Sequence, residues 1–110
     1  MAIKNEIITT TGVAILTVPA GKKYAVTTLL VCNTGTDDGT GLNDTSFNMY
    51  VYPTSGSASN EYQVLNDLKV SAGDTFTFNV ERLILEENDT IWLDGTAPTN
   101  LTATISYLEV

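Results

Sequence analysis

The side chains able to do chemistry in this 110-residue chain are mostly carboxylates. Glu81, Glu86, Glu87 and Asp94 crowd its last third, and two acids about 5–9.5 Å apart would suit glycoside hydrolysis. Each lies beside a turn signal, however, where an acid ordinarily just faces water. A second group, Asp37, Asp38, Asn43 and Asp44, occupies the glycine-rich stretch TGTDDGTGLND, and oxygen ligands of this kind suit calcium. Thr34 and Thr36 stand where a calcium loop would place acids, so the Asp37–Asp44 stretch reads as a solvated loop. Histidine is absent from the sequence, which removes Ser-His-Asp and Cys-His relays, the usual zinc sites and the commonest general base near neutral pH. The single cysteine, Cys32, sits in the strand-like run TTLLVCNTG. It reads as a small core hydrophobe in a chain that folds in a reducing cytoplasm. No catalytic residue, cofactor or metal ligand is expected.

Charge narrows the partners. Thirteen acids against five bases leave a net charge of −8, which repels phosphate backbones and offers no basic cluster to an anionic membrane. No nucleic acid and no membrane is therefore expected as a partner. No apolar run approaches the roughly 20 residues that span a bilayer, and MAIKNEIITT lacks the apolar core of a signal peptide. Three N-x-T matches, at Asn43, Asn88 and Asn100, are what chance gives in a chain rich in Asn and Thr.

The elements that must position these groups are strands. Charged residues make up only 16%, against roughly 25% in an ordinary soluble domain. The polar surface falls instead to Thr, Ser and Asn, and the β-branch of Thr favours strands. Alternation runs through TFTFNV, which places Phe76, Phe78 and Val80 on one face. LTATISY likewise sets Leu101, Ala103, Ile105 and Tyr107 against threonines and a serine. SFNMYVY sets Phe47, Met49 and Val51 against Asn48, Tyr50 and Tyr52. A period of two marks half-buried strands. The more continuously apolar YAVTTLLVC reads as a central strand covered on both faces. Strands are expected at 3–16 (split near Gly12), 23–33, 46–52, 61–70, 74–80, 90–94 and 101–108. In the 61–70 run, Val64, Leu65 and Leu68 could equally line one turn of helix. The fold class is all-β: an antiparallel, jelly-roll-like β-sandwich of about eight strands, in one domain spanning 1–110.

One phrase recurs: VPAGKKYAV, VSAGDTFTF and LEENDTIWL. Gly21, Gly73 and Asn88 hold equivalent places, and Gly and Asn accept positive φ cheaply. Val18, Val70 and Leu85 can plug the end of the sandwich, while Asp74 and Asp89 can accept hydrogen bonds from turn amides. The phrase reads as a corner, not as a site. Aligning NDTIWL with GDTFTF puts Ile91 and Leu93 on the core side and Trp92 on the opposite face. An indole there is covered by the protein's own loops, stacks on a sugar ring or packs against another chain. Tyr50 and Tyr52 are its candidate companions.

Taken together, GVAILTVPAGKKYAVTTLLVCNTG, LKVSAGDTFTFNVERLILEENDTIWLDG and the closing LTATISYLEV resemble small β-sandwich virion proteins of tailed bacteriophages. The resemblance rests on Val18–Lys22, Asn33, Ala72–Thr75, Leu85–Ile91 and Glu109. It implies a non-enzymatic capsid decoration (cement) protein, or a tail or fibre component. Such a protein would be made in the host cytoplasm, form a homo-oligomer and dock on the major capsid or another virion protein. The alternative is a carbohydrate- or receptor-binding module at a fibre tip, with a host glycan stacked on Trp92, Tyr50 or Tyr52. No catalytic residue is implied.

Overall fold

The computed structural model describes residues 2–110, with the side chains of 79–82 left aside. Eight strands follow one another: β1 (Ala2–Ile7), β2 (Val13–Thr17), β3 (Tyr24–Asn33), β4 (Thr45–Tyr52), β5 (Gln63–Val70), β6 (Thr75–Leu85), β7 (Thr90–Gly95) and β8 (Leu101–Glu109). One turn of 3-10 helix, Asn60–Tyr62, precedes β5. They form two four-stranded sheets, ordered β1-β8-β3-β6 and β2-β7-β4-β5, with antiparallel pairing throughout. Only the β4–β5 connection stays within a sheet, and every other connection crosses to the opposite layer. That is the strand order of a jelly roll, two Greek keys folded over one core.

The core fills the space between the sheets along the expected alternation. Val31, Ile91, Leu93, Ala103 and Ile105 are fully buried, and Leu29, Phe47 and Met49 nearly so. Phe76 and Phe78 are half-buried and pack against this cluster. Val80, expected beside them, falls outside the described side chains.

Several expectations need correction. β3 is central in its sheet but is covered on one face only: Leu30 is 36% exposed, and its cross-strand neighbours are Thr77 and Thr104. Cys32 is half-buried on that same outer face, opposite Thr75 and Thr102, and so is not a core residue. β6 continues to Leu85, five residues past the expected end. The helix-like spacing in 61–70 belongs to a strand. Leu68 pairs with Phe47 and Leu65 with Met49, and the register shifts between the pairs. The extra residue lets two leucines three positions apart face the same core. Asp67 takes φ 52° within this irregular segment, and its amide donates to Asn48 Oδ1 at 2.7 Å. A bulge between Ala14 and Leu16 does the same on β2, where Ile15 and Leu16 are both buried.

The recurring phrase forms three corners of one kind. The amides of Lys22, Asp74 and Asp89 donate to the carbonyls of Pro19, Ser71 and Glu86 at 3.2, 2.9 and 3.1 Å. The third residue of each turn, Gly21, Gly73 or Asn88, takes φ of 79°, 82° or 67°, the signature of a type II turn. Immediately before them Val18, Val70 and Leu85 are buried. Asp89 Oδ2 accepts from the Glu86 amide at 2.9 Å. Two of the corners are tied together, because Val18 and the 86–89 turn exchange backbone hydrogen bonds at 2.7 and 3.1 Å.

Candidate docking surfaces

Among the described residues, the candidate carboxylates do not gather into a pair. Glu86 and Glu87 precede β7 and Asp94 closes it, so they sit at opposite ends of that strand. Glu86 faces Lys23 at 3.6 Å, Glu87 accepts from the Gly21 amide at 2.9 Å, and Asp94 accepts from Asn48 at 2.7 Å. Glu81 lies outside the described side chains. In the 37–44 loop, Asp37 Oδ1 accepts from the Gly39 amide and Asp38 Oδ1 from the Thr40 amide, each at 3.0 Å. Asp44 accepts from the Ala72 amide at 2.9 Å. The Thr40 hydroxyl, and then its amide, hold the Asp38 carboxyl below the usual range. Asp37 and Asp38 brace their own loop, and Asp44 ties it to the corner before β6. Among the described residues no group of three His, Cys, Asp or Glu is placed to hold a metal. Two shallow depressions, of about 300 and 390 Å³, lie at opposite ends of the sandwich. One is lined by Asp44, Ser46, Lys69 and Thr96, the other by Gly21, Lys22, Glu86 and Val110.

The aromatic residues singled out by the sequence do come together, on the outer face of the β2-β7-β4-β5 sheet. Trp92 and Tyr50 are directly opposed across β7 and β4, with Ala14 on the other side of Trp92 and Tyr52 opposite Thr90. All three aromatics are half-buried. The indole lies on the β1–β2 turn, where a Cβ at Gly12 would collide with it. Tyr52 leans on Tyr62 at a ring separation of 6.3 Å. The protein's own loops therefore cover part of this strip. Beside it Asn48 links Asp94 to Gln63, donating to the first and accepting from the second at 3.2 Å. Burial, and then the charge of Asp94, push the Tyr50 phenol above its ordinary value.

The outer face of the other sheet is different, and sequence reading missed it. Pairing fixes its members, because directly opposed residues share a face. Ile3, Asn5 and Ile7 on β1 oppose Ser106, Thr104 and Thr102 on β8. Those in turn oppose Thr28, Leu30 and Cys32 on β3, and Leu30 and Cys32 oppose Thr77 and Thr75 on β6. Ala25 adds Leu108 and Ile84. None of the described residues at these outward positions is charged. Ile3, Ile7, Leu30, Ile84 and Leu108 are 68, 59, 36, 49 and 37% exposed. The signal was available in AIKNEI, where alternation puts Ile3 and Ile7 on one side and Lys4 and Glu6 on the other. It went unread because a strand's apolar side is taken to be its core side.

No family model matches this chain, and no curated protein or solved structure matches it. The class rests on topology: an eight-stranded jelly roll with two chemically distinct outer faces.

Proposed function

We propose that this chain is a non-enzymatic structural protein of a bacteriophage virion, a capsid decoration protein docked in many copies on the particle. The observation that carries the proposal is the pair of opposed sheet faces, one aliphatic and without charge among its described residues, the other aromatic and amide-lined. A subunit held among copies of itself and a particle surface needs two broad, flat contact faces. An enzyme needs a concavity that encloses its substrate, and Asp37, Asp38, Asp44, Glu87 and Asp89 are held by turn and loop amides. The likeness of its turn phrases to small phage virion proteins supports the same reading. Its partners are then the major capsid protein or another virion protein, reached after synthesis in the host cytoplasm. Imaging of particles carrying labelled protein tests this. Hundreds of copies over the head are expected; a few to tens confined to the tail would move the chain to the tail or fibre, and no particle-bound copies would overturn the proposal.

One observation favours a second reading, a fibre-tip module for host glycans. The opposed Trp92 and Tyr50 offer ring faces beside the side chains of Asn48, Asp94 and Gln63, which can bond sugar hydroxyls. Glycan-array binding that disappears in a folded Trp92→Ala variant would select it.

A further inference from the structure

We infer that the outer face of the β1-β8-β3-β6 sheet is an interface between two copies of this chain, packed face to face. The inference concerns self-association in solution and stands apart from the virion assignment. Three observations converge on a second copy as the occupant.

The first is the inverted strand. β1 is an edge strand whose alternation turns Lys4 and Glu6 to the side of the sandwich and Ile3 and Ile7 outward. Register is normally fixed by burying the apolar side, and a slip of one residue would exchange the two sets. Outward isoleucines are the consistent choice when the buried side of the strand is the outer one.

The second is charge. Two molecules of net charge −8 repel each other, and they approach at least cost through a surface whose described outward side chains include no acid. The described Ile, Leu and Thr side chains of this face are also self-complementary. A two-fold contact sets each patch against its own copy, and none of its described outward residues needs an opposite charge.

The third is area. Strands of 6, 9, 10 and 11 residues, at about 3.4 Å per residue and about 4.8 Å apart, give a face of roughly 600 Å². A pair would bury about 1,200 Å², the lower bound of stable interfaces.

Sedimentation equilibrium of the purified full chain tests the inference, with three variants alongside. Leu30→Lys places a charge at the centre of the face, and Ile3→Lys places one at its rim without touching the core. Val64→Lys makes the same change at a 47% exposed position on the other sheet. The wild type is expected to dimerise, and more tightly at 0.5 M than at 0.05 M salt, because screening weakens the repulsion (the Debye length falls from roughly 14 to 4 Å). Leu30→Lys should weaken the dimer at least tenfold and Ile3→Lys severalfold, with Val64→Lys unchanged. Should Leu30→Lys fail to give a cooperative melt, Ile3→Lys against Val64→Lys decides. A wild type that stays monomeric at about 1 mM, the weak end of specific affinities, would overturn the inference. So would a dimer indifferent to the Leu30 and Ile3 changes, or one weakened equally by Val64→Lys.

Discussion

At the scale of single residues, the corners are decided by φ. Gly73 has open space where a Cβ would stand, so its constraint is conformational and not steric. Gly73→Val should cost about 1–3 kcal/mol of unfolding free energy through backbone strain. Asp74→Asn should cost less than about 1.5 kcal/mol and leave particle binding intact. Loss of an activity in a folded Asp74→Asn protein would make this corner a site after all. Tyr50 carries a different kind of information. Its folded-state phenol is held above the ordinary value of 10.0 by burial first and the Asp94 charge second, so the folded chain favours the neutral form. Its stabilising contribution is therefore complete below pH 10 and is lost as the pH rises through the raised folded value. Asp94→Asn removes the repelling charge, and the Tyr50 titration should shift downward while staying above that of an exposed phenol. Phenolate absorbance, corrected with Tyr50→Phe, reads this directly, and an unmoved titration would show that burial alone sets the shift.

At the scale of elements, the strands were legible because a half-buried strand writes its geometry into every second residue. β4, β7 and β8 follow that rule over residues 47–50, 91–94 and 101–106, where burial alternates residue by residue. It failed where a bulge inserts a residue, as between Leu65 and Leu68, since a single extra position converts a period of two into a helix-like spacing of three. It misled at β3, whose apolar run suggested cover on both faces although Leu30 and Cys32 face outward. It was silent at β1, where the pattern says which residues share a side but not which side is buried. The aromatic strip was legible as Trp92 facing away from Ile91 and Leu93. Its cover by Gly12 was not, because that contact joins a strand to a turn preceding another strand. Asn33 is the clearest case of a residue whose role only the fold reveals. Buried at the end of β3, it donates to the carbonyls of Asn43 and Val70 at 2.8 and 2.9 Å and accepts from the Gly35 amide at 2.9 Å. It thereby ties β3 to the loop before β4 and to the end of β5. Asn33→Ala leaves those buried groups unpaired and should destabilise by about 2–4 kcal/mol in denaturant unfolding. A cost below about 1 kcal/mol would mean that water replaces the side chain.

At the scale of the whole molecule, two faces of different chemistry on opposite sides of one sandwich imply two separable associations. If the aliphatic outer face meets a second copy, the aromatic and amide-lined sheet of each protomer remains outward, and a dimer presents it twice. Particle binding through that face would then gain from avidity as well as from its own contacts. The prediction is a pair of opposite phenotypes. Trp92→Ala should leave the sedimentation dimer intact but weaken retention on particles by about 2 kcal/mol, roughly thirtyfold, if the indole is a central anchor. Leu30→Lys should do the reverse in solution, dissolving the dimer, and lower retention only through the lost second contact. Thermal melting separates docking from folding. The indole rests on Gly12, so some loss of stability is expected from Trp92→Ala, and retention must be compared well below its melting temperature. If Trp92→Ala melts far lower yet stays on particles, the indole serves only to fasten the β1–β2 turn, and the particle contact lies elsewhere. If both variants lose retention and the dimer together, the two faces are not independent, and one assembly step buries both.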